Sequence, residues 1–259
     1  MITPADLTLP FITIWIHGTY PTTFVPSAVT RFQPDPLYKF FYCKPGLHSL
    51  TTIDSAFHTP QLLEIVADLD PERFAREHLY IFGWSGELSR SARTDAAQEL
   101  YLELQKLMHT YVAKYGAHPP IRLITHSHGG NVALKLALFN CGDIKIKQLF
   151  VLACPVQQET EPLIEHHMFE RIYSIHSHTD MIQVLDPQGL PHLLEMFKQS
   201  LKNKSLDIKK LKGMLDKQFL FSGRHFKPHP KLTQIHLKLD GQNLLHIDFL
   251  LSKFIKNIP

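Results

Sequence analysis

The chain has no cysteine framework. Its three cysteines, Cys43, Cys141 and Cys154, are odd in number and widely spaced, which argues against both a disulfide scaffold and a paired-cysteine zinc motif. They are expected to be reduced thiols of a cytoplasmic protein, with Cys154 buried at the end of an apolar run. No apolar run approaches the length of a membrane span. Asp6, with no positive residue before the short apolar stretch that follows, does not make a secretory signal; export without an N-terminal signature stays open. Charge of one sign is also lacking. Lysine and arginine number 27 against 24 acidic residues, a net +3, so no basic field points to nucleic acid. There is no internal repeat and no low-complexity tract.

What is present fits a globular α/β chain. Residues 1–259 suffice for one domain with a large core. The 17 histidines are the compositional oddity; they would raise the charge in mildly acidic conditions. Apolar stretches at Phe11–Ile16, Leu79–Phe82, Ile121–Ile124, Lys147–Ala153, Arg171–Ser177 and Leu232–Leu239 read as strands. Between them, Pro60–Leu69 and Ser91–Tyr115 read as helices, and Asn243–Ile255 as a C-terminal one. In the second, Ala97, Leu100, Leu104, Leu107, Met108, Tyr111 and Tyr115 form one stripe, and Gly116 supplies a stop. Residues 19–53, rich in proline, read as a long irregular segment. Strands alternating with helices imply a mostly parallel sheet flanked by helices on both faces. In such sheets, working groups gather beyond the carboxyl ends of the strands.

The most informative stretch is Ile121 to Leu134. A short buried strand meets a helix with almost no loop between: Thr125, His126, Ser127, His128, Gly129. So sharp a turn leaves Ser127 exposed at its apex, at the helix N-terminus. This is the nucleophile-elbow pattern G-x-S-x-G, with Thr125 in place of the first glycine. The elbow resembles that of the α/β-hydrolase superfamily, in particular its lipase and esterase-like members. Three other stretches extend the resemblance in the family's order: His17-Gly18-Thr19 after the first strand; Phe82-Gly83-Trp84-Ser85-Gly86 with Arg93, Ala96 and Ala97; and His246-Ile247-Asp248 near the C-terminus.

The resemblance implies an α/β-hydrolase fold and a chain order of serine, acid, histidine. His246 is the expected base. His236, inside a strand, reads as a structural or surface histidine. Asp180, directly after the Arg171–Ser177 strand, is the expected acid, with Asp186 as the alternative; Asp248 is too near His246 in sequence. The oxyanion is assigned to the backbone N–H groups of His128 and, by resemblance to lipases with a His-Gly-x loop, Thr19. His17, Gly18, Trp84, Ser85 and His126 are expected to line the site or brace its loops. Ser85 itself is a decoy, because its second glycine comes one residue too early. The pairs His126/His128 and His176/His178 invite a metal reading, but both flank the proposed triad, so no metal and no cofactor are assigned.

These readings converge on a serine esterase or lipase-like hydrolase of small-molecule or lipid acyl esters. Acyl transfer, thioester cleavage, or a binding protein that kept the fold are the alternatives, and the elbow alone does not separate them. Residues 190–230, with seven lysines between Lys198 and Lys217 and apolar residues at roughly helical spacing, read as an inserted cap before the last strand. That cap could be plain surface helices or a peripheral membrane contact.

Overall fold

A computed structural model describes residues 9–19, 40, 43–140, 142, 144–180, 183 and 223–256. Cys141, Asp186 and most of the expected cap lie outside these residues.

Seven strands form one sheet: β1 (Ile12–Ile16), β2 (Gly46–Ser49), β3 (Leu79–Gly83), β4 (Ile121–His126), β5 (Ile146–Leu152), β6 (Ile172–His176) and β7 (Leu232–His236), in the order β2-β3-β1-β4-β5-β6-β7. All neighbours run parallel except β2, which lies antiparallel on β3 at the edge. The helices are α1 (His58–Leu69), α2 (Arg90–Tyr115), α3 (Gly129–Lys135) and α4 (Ser252–Lys256). This is an α/β fold.

Both faces of the sheet are covered, and the alternation of side chains along each strand shows how. Ile12, Ile14 and Ile16 of β1 join Leu123, Leu149 and Val151 in a core beneath α2 and α3. Trp15, between them, points to the opposite face. There it joins Ile81, Leu62 and Leu63 of α1, and Phe249 and Phe254. The strands are therefore apolar on both sides, as the near-continuous runs in the sequence imply. Helix α2 starts at Ser89, whose Oγ accepts from the Ala92 N–H, and ends at Gly116, which adopts φ 75°. Most of its expected stripe is buried. Tyr115 is not; it lies 39% exposed, against the rings of His78 and Tyr111.

Three sequence expectations need correction. Residues 46–49 are a strand, although 19–53 read as irregular throughout. β2 is short, half-buried and without alternation, so period-2 patterning had nothing to detect. The final strand stops at His236, and a two-stranded ribbon of β8 (Lys238–Leu239) and β9 (Gln242–Asn243) follows. The C-terminal helix is also broken. His246–Leu250 is a 3-10 turn whose Leu245 N–H is taken by Asp248 Oδ2 at 2.7 Å, and extended Leu251 separates it from α4. Phe249, Leu250, Phe254 and Ile255 reach one core through two short pieces, which a helix-like apolar spacing imitates.

Leu100 and Leu102 on α2 test the facing of that helix. Leu100 is fully buried and Leu102 is 48% exposed. Leu100→Ala should cost about 2–5 kcal/mol in denaturant unfolding and Leu102→Ala within roughly 0.5 kcal/mol. Equal losses would mean that the helix is rotated.

Candidate active site

Four of the expected site groups follow strand ends on the same edge of the parallel sheet. His17 follows β1, Trp84 follows β3, Ser127 follows β4 and Asp180 lies four residues beyond β6. Ser127 has φ 52°, left-handed for a residue that is not glycine, and it is buried, 5% exposed, where the sharp turn was expected to leave it exposed. Such a conformation persists only where its surroundings enforce it. Here the Ser127 N–H donates to Leu152 O at 2.8 Å and its own carbonyl accepts from the Gly130 N–H at 3.0 Å. Sheet and helix α3 thus both grip the turn. Thr125, the departure from the glycine pattern, is fully buried, and its hydroxyl donates to Phe150 O at 3.0 Å. The larger side chain is used as a tie to β5.

Close approach explains the glycines on either side. A Cβ on Gly18 would stand 2.7 Å from Ser127 Cβ, and one on Gly129 2.5 Å from Ile16 O. The end of β1 is therefore pressed directly against the elbow. His128 sits at the N-cap of α3, buried, with Nδ1 3.3 Å from Asn131 Nδ2. Asn131 in turn donates to Pro155 O at 3.0 Å. Thr19 follows Gly18; its hydroxyl is buried and has no hydrogen-bond partner among the described residues. It lines a cavity of about 10 Å³ together with Trp15, His17, Gly18, Phe40, Thr59, His126 and Leu250.

His17 braces the first loop. The Trp84 N–H donates to His17 Nε2 at 3.0 Å, and Trp84 Nε1–H donates to His17 O at 2.9 Å. Nε2 must then be bare, so Nδ1 carries the proton and donates to Gly18 O at 2.6 Å. Only the neutral imidazole satisfies both contacts. Burial pushes its pKa down to about 4, which agrees. Ser85, next to Trp84, is exposed and merely accepts from the Glu87 N–H.

The expected acid and the expected base meet on the other side. His246 Nδ1 lies 2.8 Å from Asp180 Oδ2. Asp180 is 1% exposed, and its second oxygen accepts from the Gln183 N–H at 3.0 Å. A carboxylate only accepts, so Nδ1 of His246 carries a proton, and Nε2 is the nitrogen not engaged by Asp180. His246 is fixed from beneath by the residue that precedes the elbow serine: His126 Nε2–H donates to His246 O at 3.0 Å, with the two rings 4.7 Å apart. Burial first, and then the nearby His246, hold His126 well below the ordinary histidine pKa, so it too is neutral.

Sequence reasoning passed over several residues that hold this acid loop. Thr179 donates to Leu244 O at 3.0 Å, Gln183 Nε2 donates to Cys154 O at 2.7 Å, and Arg224 donates to the Asp180 carbonyl at 3.0 Å. Gln183, three residues after an aspartate, carries a faint turn signature. Arg224 and Thr179 act through long-range contacts to backbone carbonyls, which leave no local pattern. His236 is exposed, with Nε2 3.1 Å from Asn243 Oδ1. Asp248 caps the Leu245 N–H and does not face His246 as an acid. Of the cysteines, Cys43 and Cys154 are buried thiols, and burial pushes Cys43 up to about 12. Among the described residues no helix is long and apolar enough to cross a membrane.

The buried neutral His17 makes stability depend on pH. Its folded pKa, about 4, lies below the unfolded value of 6.5. Between those values the unfolded chain binds the extra proton, so stability falls as pH drops from 6.5 towards 4 and changes little above 6.5 through this group. The loss is on the order of 2–3 kcal/mol from His17, with His126 adding in the same direction. Urea unfolding at pH 7 and pH 5 measures it. His17→Gln should flatten the pH slope; an unchanged slope would show that His17 is not the source.

No known family's sequence profile matches the chain, and no curated protein matches it. Among solved structures, a similar chain is that of phospholipase PlaB from Legionella pneumophila in complex with thio-NAD. It is 17% identical over 56% of this chain and 25% of that one, with a TM-score of 0.30. The similarity thus spans a quarter of that phospholipase's length, and at that TM-score it carries no argument about chemistry.

Proposed function

We propose that the chain is a serine hydrolase of acyl esters, with an α/β-hydrolase arrangement and esterase or lipase-like activity. The observation that carries the reading is the 2.8 Å contact of His246 Nδ1 with buried Asp180, on a base that His126 anchors beside the Ser127 elbow. A histidine with Nδ1 held by a carboxylate presents a basic Nε2. In this reading that nitrogen takes the Ser127 proton as Oγ attacks the acyl carbonyl, then returns it to the leaving alcohol. Water releases the acyl-enzyme by the same steps in reverse order. Asp180 stays ionised, orients the ring and stabilises the imidazolium.

The tetrahedral intermediate needs donors placed where its negative oxygen develops. The His128 N–H, at the start of α3, is one, aided by the positive end of that helix. The Thr19 N–H, brought close by the lack of a side chain on Gly18, is the other. The buried Thr19 hydroxyl, unpartnered among the described residues, favours this loop as a place where a polar ligand atom is expected. Acyl transfer and thioester cleavage use the same parts and differ only in the acceptor or leaving group.

Labelling by a fluorophosphonate probe tests the nucleophile. The natural chain should label, Ser127→Ala should not, and Ser85→Ala should label normally. Retained labelling in Ser127→Ala, with the fold intact by circular dichroism, would overturn the assignment. The acid is tested separately. Asp180→Asn should lower kcat on a soluble ester by roughly 10⁴-fold, on the precedent of triads that lose their orienting carboxylate. Asp186→Asn should change it little, and the reverse result would move the acid to Asp186.

A further inference from the structure

Outside the proposed triad, and among the described residues, one cluster of ligand-capable side chains stands apart. His176 ends β6, His178 lies two residues on, and His225 comes from the stretch just before β7. One ring nitrogen from each lies within 4.8 Å of the others. His225 Nε2 and His176 Nε2 are only 3.0 Å apart. His176 is 3% exposed, and its Nδ1 has no hydrogen-bond partner among the described residues. A fourth ring, His236, stacks on His178 at 3.7 Å. The sequence showed His176/His178 as an adjacent pair; the fold adds His225, some fifty residues away.

Three imidazoles converging from two separate segments need a reason. A buried histidine whose hydrogen bonds are met by other histidines alone satisfies its two nitrogens poorly. A divalent ion would use the lone pairs directly. With metal–nitrogen bonds of about 2.0–2.1 Å, two ligands of a tetrahedral ion stand about 3.3 Å apart. The His176–His225 pair is already near that spacing. His178 and His225 are both exposed and free to close the remaining distance by side-chain rotation.

We propose that His176, His178 and His225 form a site for a divalent transition metal, with Zn²⁺ the natural occupant and water completing a tetrahedral set. All-imidazole donors suit zinc, cobalt, nickel or copper and not magnesium or calcium. The ion would be structural for the acid loop. His178 lies two residues before Asp180, and Arg224, beside His225, donates to the Asp180 carbonyl at 3.0 Å. A metal across these histidines staples the 177–180 loop to the 223–226 stretch. The site stands whether or not the chain hydrolyses esters.

The test uses the full chain stripped with a chelator, titrated with Co²⁺ by visible absorption and with Zn²⁺ by calorimetry and thermal unfolding. About one equivalent should bind, with the intense visible bands of tetrahedral cobalt. Saturating Zn²⁺ at roughly 100-fold above Kd should raise Tm by about 5–10 °C. The double variant His178→Ala/His225→Ala removes exposed residues and should fold, yet lose at least about 100-fold in affinity along with the cobalt bands. His166→Ala/His167→Ala, an unrelated pair whose ring centroids are 4.2 Å apart, should bind as the natural chain does. No saturable equivalent, or an unchanged affinity in His178→Ala/His225→Ala, would overturn the proposal. So would an equal loss in the two double variants.

Discussion

The ends of β1 and β4 are packed so closely that no side chain fits between them. Gly18 faces Ser127 Cβ and Gly129 faces the Ile16 carbonyl. This backbone contact fixes the left-handed turn at Ser127, because the chain leaving β4 has no other direction open. It also fixes the neighbourhood. With the first loop pressed onto the elbow, His17 and His126 are sealed from water. Sealing forces both imidazoles neutral, since a buried charge without a counter-ion costs more than a proton lost at neutral pH. Neutrality in turn sets the proton on His17 Nδ1 and on His126 Nε2, and each proton then has a carbonyl to serve.

Those hydrogen bonds divide the site into two parts with different support. The serine side rests on the core. Thr125, Ser127 and Gly130 tie into the neighbouring strand and helix through bonds of 2.8–3.0 Å, and both flanking faces are apolar and filled. The acid–base side rests on the sheet's far edge. There β7 is half-exposed, the chain runs through a two-residue ribbon, and His246 opens a 3-10 turn. Long-range polar contacts take over what packing does on the serine side: His126 to the His246 carbonyl, Thr179 to Leu244, Arg224 to Asp180. The first of these links the two halves.

The sequence carried the fold well where burial is two-sided. β1, β4, β5 and β6 are short apolar runs because both faces meet a core, and the elbow is legible because Thr125, Ser127 and Gly129 alternate within five residues between a strand and a helix. It carried the edges poorly. β2 has no alternation, since its strand is half-buried on both faces. The C-terminal aromatic residues mimic one helix because two short turns deliver them to the same core. Ser127, Asp180 and His246 could be proposed from chain order, and the fold places Asp180 against His246. The groups that position them could not, because Thr179, Gln183 and Arg224 donate to or from backbone that is close only after folding. His225 escaped for the same reason: a lone histidine fifty residues from its partners has no spacing to read.

The weaker support on the acid side gives the histidine cluster its place in the architecture. The proposed triad would need its base held to within a fraction of an ångström, and groups on loops hold position less well than groups on strands. The Asp180 loop is anchored at its root by β6, at its carbonyl by Arg224 and at its carboxylate by Gln183. None of these is an apolar contact, and Arg224 belongs to a stretch joined to the sheet by the paired bonds of Gly223 with Val156 and by Phe226 to Gln234. Tightening that stretch against β6 would stiffen the loop without touching a reacting atom. The imidazoles of His176, His178 and His225 are the groups in position to do so, and they lie where the sheet has least core to offer.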